Sequence, residues 1–182
     1  MVSRSVSSVS IALFLAAAAV GSCLLPQPAK EPTAVKVGVY DSRAVAVAFA
    51  QSAQNRAVLD DLMRQHSEAK RANATERVAA LEAQGAAMQE RLHRQGFSTA
   101  SIADILKPIA EQLPAIAQQA GVDVLMSKWD VAYRGARVEF VDVTEAMIAP
   151  FAPTPEVRKM IDSLVDQEPL SLYEHDWDAH EN

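Results

Sequence analysis

In "VKVGVY", residues 35–40, apolar positions alternate with lysine and glycine over a strand-length window, which predicts a first β-strand. Asp41 or Ser42 follows, and either can accept a backbone hydrogen bond from the first turn of a helix. From Ala44 to Arg94 the residues are good helix formers, and two apolar stripes run through them. Asn55, Leu59, Leu62, His66, Ala69 and Asn73 step four, three, four, three, four; Val78, Leu81, Gly85, Met88 and Leu92 make the second heptad-like series. The five-residue step from Asn73 to Val78 fits neither, so "ANATE" marks a kink, a break or a stutter. Gly96 is expected to cap the helix, with Ser98 or Thr99 starting the next.

A third stripe, Ile102, Leu106, Ile109, Leu113, Ile116 and Ala120, widened by Ile105, is the most regular helical signal in the chain. Pro108 and Pro114 lie inside it, so the helix is either bent or split in two. Gly121 stops it. "VDVLMS" then alternates, "WDVAYRGA" carries a turn signal at Gly135, and "RVEFVDV" alternates again before Thr144 opens a short helix. The local expectation is a β-hairpin within 122–142. With the first strand it gives three strands, the minimum for a stable sheet. The fold class expected is α+β: a small antiparallel or mixed sheet from N- and C-terminal strands, interrupted by a long, coiled-coil-like helical insertion over about 43–120. As one rod, residues 43–94 would extend about 78 Å against about 31 Å for 100–120. The outgoing stripe must therefore fold back at 73–77 or find a second chain.

The first residues change the compartment. "MVSRSVSSVSIALFLAAAAVGSC" has a basic start at Arg4 and an apolar run at 11–20 that is short for a membrane span, the pattern of a secretory signal over residues 1–22. The only cysteine, Cys23, follows Gly21 and Ser22 and resembles the lipid-attachment position of bacterial lipoproteins. The bland reading is ordinary cleavage near the alanines. Leu24, where an aspartate would retain a lipoprotein in the inner membrane, implies an outer-membrane anchor. Residues 23–34, rich in proline, read as a tether. One cysteine excludes an intrachain disulfide.

The 182-residue chain is 49% apolar with 5% aromatics, so its core is aliphatic. Its formal charge of −6 disfavours nucleic acid as a partner. Residues 43–95 hold eight positive and six negative side chains, and 101–182 hold six and fifteen, so the acidity belongs to the later half and its tail, 151–182.

Candidate chemistry is sparse. His66 lies on a helical stripe with no second metal ligand spaced to it, which favours a register-setting role. His93 complements a helix C-terminus. Glu174, His175, Asp176, Asp178, His180 and Glu181 have the side chains of a metal site but lie on a terminal segment that nothing fixes, alongside Tyr173 and Trp177 as docking aromatics. Trp129 and Tyr133 are expected to cover a sheet edge. No nucleophile stands with a base, and there is no phosphate loop or catalytic carboxylate pair, so neither an enzyme nor a cofactor is expected.

"VDVLMSKWDVAY", then "FVDVT" and a helix, resembles the C-terminal module of the Skp/OmpH family of periplasmic chaperones, and "KVGVYDSRAVAVAF" is similar to that family's first strand and helix start. The likeness covers about 35–150, the expected domain. It implies a homotrimer whose helical prongs hold unfolded outer-membrane proteins without ATP. The chain departs from the family's basic members in its pI of about 5.2 and its short insert. The function expected is a periplasmic holdase; the alternative is a structural or adaptor lipoprotein with one fixed envelope partner. Leu59, Leu62, Val78, Leu81, Met88 and Leu92 are the expected client or partner contacts.

Overall fold

A computed structural model describes residues 34–172. The signal segment, Cys23, the tether up to residue 33 and the acidic cluster beginning at Glu174 lie outside the described residues. No helix among the described residues is long and apolar enough to cross a membrane.

Strand β1 (Val35–Tyr40) is followed by α1 (Ser42–Ala50), α2 (Ala53–Arg71), α3 (Thr75–Phe97) and α4 (Ala103–Leu106). A 3-10 segment (Lys107–Gln112), α5 (Leu113–Ala120), β2 (Val124–Ser127), β3 (Val138–Asp142), α6 (Thr144–Ile148) and α7 (Pro155–Val165) complete the order. Helix α1 lies at the centre of the body. Ala44, Val45, Ala46 and Ala48 are each 0–1% exposed, and small residues on several sides let neighbouring helices and the sheet approach closely. Around it gather Tyr40, Ile102, Ile105, Ile109, Met147, Ile148 and Phe151, with Phe49 edge-on to Phe151 at 5.7 Å.

The α+β class stands, but the sheet corrects the antiparallel or mixed arrangement expected from the sequence. Its order is β2-β1-β3, and both outer strands run parallel to β1, with Val37 opposite Val124 on one side and Phe140 on the other. The expected hairpin does not form, because residues 128–137 separate β2 from β3. Hairpin loops take two to five residues. Ten extended residues reach about 33 Å, enough to return along a short strand, about 17 Å, and to cross two strand spacings, about 10 Å. Apolar alternation marks where strands lie without fixing their direction. Along β1, Tyr40 enters the helical core, so Val35, Val37 and Val39 project to the opposite face. There the crossover supplies Arg134, stacked 4.9 Å over Phe140, and leaves Val35 and Val124 nearly half exposed.

The helical insertion breaks more often than its stripes suggest. Ser52 caps α2 by accepting from the Asn55 amide at 3.1 Å, and the Asn55 side-chain amide donates to the Ala50 carbonyl at 2.8 Å, which fixes the joint between α1 and α2. At 72–74 the chain reverses through Asn73, whose φ of +53° is a left-handed conformation that asparagine tolerates well. Helices α2 and α3 therefore pair as a hairpin, and the outgoing stripe covers itself in part. Leu81 and Ala69 are buried between them, and His66 meets Glu82 at 3.0 Å across the hairpin. The stripe from Ile102 to Ala120 survives, but over α4, the 3-10 segment and α5. Pro108 and Pro114 each fall in the first turn of the segment that follows, where the missing amide has no intrahelical partner to lose. Gly121 ends α5 at φ +65°. Gly96 is not a cap; it lies inside α3 and is buried.

Residues 155–165, expected to belong to an acidic tail, form α7. Thr154 caps it, Pro155 opens it, and Val157 and Ile161 are buried one turn apart. The next residues return alongside α3, where the Leu170 amide donates to the Phe97 carbonyl at 2.8 Å.

Candidate functional site

Two places in the body concentrate chemistry. The first is a buried polar hub at the C-terminal end of β1. Asp41 is 1% exposed and caps α1 through the Arg43 amide at 2.9 Å. The Arg43 guanidinium grips the same carboxylate at 3.2 and 2.9 Å and donates to the Gln167 carbonyl at 2.8 Å. From the crossover, Lys128 reaches the carboxylate at 2.9 Å and the Trp129 indole N–H donates to it at 3.1 Å. Two cations lie against the indole ring, Arg43 at 4.8 Å and Lys128 at 4.5 Å. Burial alone would raise the Asp41 pKa; the donors from Arg43, Lys128 and Trp129 outweigh it and lower it to about 2. A carboxylate so held is a fixed anchor at neutral pH and not a proton acceptor. Trp129 thus ties the crossover to the hub, beyond the edge-covering role expected of it, while Tyr133 is 86% exposed.

The second is an apolar groove of about 680 Å³, a size suited to a small ligand or a short peptide segment. Ala46, Val47 and Ala50 of α1 form its floor. Asn55 and Leu59 of α2, Met88, Leu92 and Phe97 of α3, and Met160 and Leu164 of α7 form its walls. Gly85 and Gly96 keep room open along α3. Beyond the rim, Val58 and Met63 continue the apolar surface of α2 at 52% and 67% exposure. One polar side chain among the lining residues is out of keeping. Asn55 is 2% exposed, its side-chain nitrogen is committed to Ala50, and its Oδ1 has no partner. An orphaned buried acceptor costs about 1–3 kcal/mol, and this oxygen is buried beneath the groove surface, out of reach of an occupant.

Of the six contacts expected from the sequence, Leu59, Met88 and Leu92 line this groove. Leu62 sits at its end, with its Cδ2 3.6 Å from where a Gly85 side chain would begin. Leu81 is 2% exposed and Val78 is half-buried nearer the hairpin tip, so Leu81 serves the hairpin itself. Met160 and Leu164 escaped notice because the chain after residue 150 is expected to be a tail. Their i, i+4 spacing beside Val157 and Ile161 is the signal that reveals them. His93 lines the groove with its ring edge-on to Phe97 at 6.0 Å. Among the described residues no three of His, Cys, Asp and Glu are grouped to hold a metal ion.

Gly85→Ala tests how tightly the hairpin is packed. The added methyl meets only Leu62 at ordinary contact distance, and helix propensity favours alanine by about 1 kcal/mol. A urea unfolding midpoint above that of the parent chain is the expected result; a lower one means that α2 and α3 approach more closely than described.

Compared with protein-family models, curated proteins and solved structures, the chain matches none of them.

Proposed function

We propose that this protein is a holdase-type chaperone of the cell envelope, binding unfolded outer-membrane or other envelope proteins without ATP, and that the groove between α1, α2, α3 and α7 grips apolar segments of its clients. The observation that carries the reading is an open apolar cleft walled by four helices. An extended client offers what such a site lacks: apolar side chains to cover its walls. Met88 and Met160 adapt their unbranched side chains to varied guests, as a site for many sequences requires. The groove takes a segment and does not enclose a whole chain. Lipidation of Cys23 would hold the protein at the outer membrane facing the periplasm, and a homotrimer joined through the half-exposed Val35 and Val124 sheet face would set several grooves around one client.

The test is light scattering of a urea-unfolded outer-membrane barrel protein diluted into buffer with the unlipidated chain. Suppression of aggregation at a few-fold excess is expected. Leu59→Asp with Met88→Asp should raise the amount needed at least fivefold with an unchanged unfolding midpoint. No suppression by the parent chain at several-fold excess rejects the holdase. Equal suppression by the double variant moves the site elsewhere.

The limited groove and acidic surface favour a second reading, an adaptor lipoprotein with one fixed partner. Affinity capture from solubilised envelopes separates the two: one stoichiometric partner supports the adaptor, and many barrel proteins support the holdase.

A further inference from the structure

We infer that the cleft at the carboxyl ends of β1 and β2 binds one neutral, hydroxyl-rich ring, a saccharide unit, held by Asp130 and by the hydroxyls of Tyr40, Ser42 and Ser127. The cleft shares no lining residue with the apolar groove, so this site stands apart from the holdase reading.

Topology places it. The connection that leaves β1 runs into α1 on the helical face of the sheet. The one that leaves β2 crosses the other face, where Arg134 stacks on Phe140. Neighbouring parallel strands whose connections part to opposite faces leave a crevice outside their carboxyl ends, and that is where open parallel sheets bind ligands. Here β1 and β2 are such neighbours. A cleft of about 230 Å³ opens between their ends: Tyr40 is the last residue of β1 and Ser42 the first of α1, while Ser127 ends β2 and Asp130 lies in the crossover. The loop at 99–102 and the start of α4 form the far wall. The space suits one small ring, since pockets for drug-sized ligands begin at about 300 Å³.

The side chains select the ligand. Phosphate groups at such crevices rest on a helix N-terminus, but here that position is taken. The Asp41 carboxylate caps α1 and is itself matched by Arg43 and Lys128. With Asp130 these four charges cancel, and among the described residues no lysine or arginine lines the cleft. An anion therefore finds no excess of positive charge, and Arg43 and Lys128 repel a cation.

A hydroxyl-rich ring meets what remains. Tyr40 is 6% exposed, and among the described residues its hydroxyl has no hydrogen-bond partner. Burial, and then the charge of Asp130, raise its pKa, so the phenol keeps its proton and donates. Ser127 Oγ accepts the Trp129 amide at 3.3 Å and still has its own proton to give. Asp130 is exposed and only accepts, and its two oxygens can take two adjacent hydroxyls of one ring. A sugar hydroxyl both donates and accepts, so it answers both kinds of group. Ile102 and Leu106 offer an apolar wall to the C–H face of the ring.

The experiment titrates the nitrogen-15-labelled, unlipidated full chain with glucose, galactose, mannose and N-acetylglucosamine, then with a trisaccharide of whichever binds tightest, and follows the amide resonances. At least one sugar should saturate with shifts confined to residues 40–42, 99–106 and 127–130, leaving the groove amides of α3 unmoved. Asp130→Ala should weaken it about tenfold or more, and Tyr40→Phe about threefold, as expected for a charged and a neutral hydrogen bond. Both variants should keep the parent unfolding midpoint, because neither deleted group is bonded within the body. A trisaccharide that binds at least as tightly as its monomer assigns the ring to the end of a glycan, and a weaker one assigns it to a free sugar. Saturation by none of the sugars overturns the inference. So does binding that Asp130→Ala leaves unchanged, or tighter binding of inorganic phosphate or ethanolamine at the same amides.

Discussion

Asp41→Ala is expected to cost about 3–5 kcal/mol of folding stability, the penalty for leaving a buried cation without its partner. That is a large share of the about 5–15 kcal/mol typical of a domain. Arg43 is 1% exposed and would keep only the Gln167 carbonyl, while the Trp129 indole would lose its acceptor and α1 its cap. Urea unfolding followed by circular dichroism measures the loss. Asp41→Leu combined with Arg43→Met should recover much of it, because removing both charges removes the desolvation penalty as well. If the single and double replacements are equally damaging, the pair contributes through packing and capping alone. The same site gives a pH signature. The Asp41 carboxyl titrates at about 2 in the folded chain against an ordinary 3.8. Its folded pKa is depressed, so its stabilisation is complete above the unfolded value and is lost as pH falls from about 4 towards 2. Asp41→Asn should flatten the stability profile in that window and leave its shape near neutrality unchanged. A parent chain whose stability does not fall between pH 4 and 2 contradicts this account.

Leu81→Ala is the second large effect, and it should be local. Leu81 is buried between α2 and α3 but stands apart from the central cluster around α1. Truncating a buried leucine costs about 2–5 kcal/mol. The loss should appear as faster amide hydrogen exchange along the hairpin, with β1 and α1 protected as before. Uniformly faster exchange would mean that hairpin and body unfold as one unit. Because Leu59, Met88 and Leu92 hang on the same two helices, the proposed client binding should weaken as well, although Leu81 does not line the groove.

The legible parts of the fold are those governed by local periodicity. The alternation at 35–40, the phase slip around Asn73 and the stripe from Ile102 to Ala120 all correspond to observed features, since side-chain period follows directly from backbone geometry. Strand direction was not legible, because alternation is the same in either direction and the deciding quantity is the length of the connection at 128–137. The joint at Gln51–Ser52 was hidden in a run of good helix formers, where a Ser52 cap and one Asn55 side chain outweigh propensity. Part of the groove was legible as heptad positions on α2 and α3: Asn55, Leu59, Gly85, Met88 and Leu92. Less legible were α7, whose four-residue spacing was obscured by its acidic neighbours, and the floor of α1, where small residues read simply as core.

The placing of β1 at the middle of the sheet governs the order in which the chain can assemble. Its neighbours arrive some 87 and 103 residues later, Val124 opposite Val37 and Val138 opposite Val35. Until then β1 has no strand to pair with. The α2–α3 hairpin needs only nearby residues and can form within microseconds, whereas the sheet awaits distant pairings and closes last. A chain emerging from its N-terminus therefore presents a ready hairpin on an unfinished body, and the apolar groove, whose last wall is α7, comes into being only at the end.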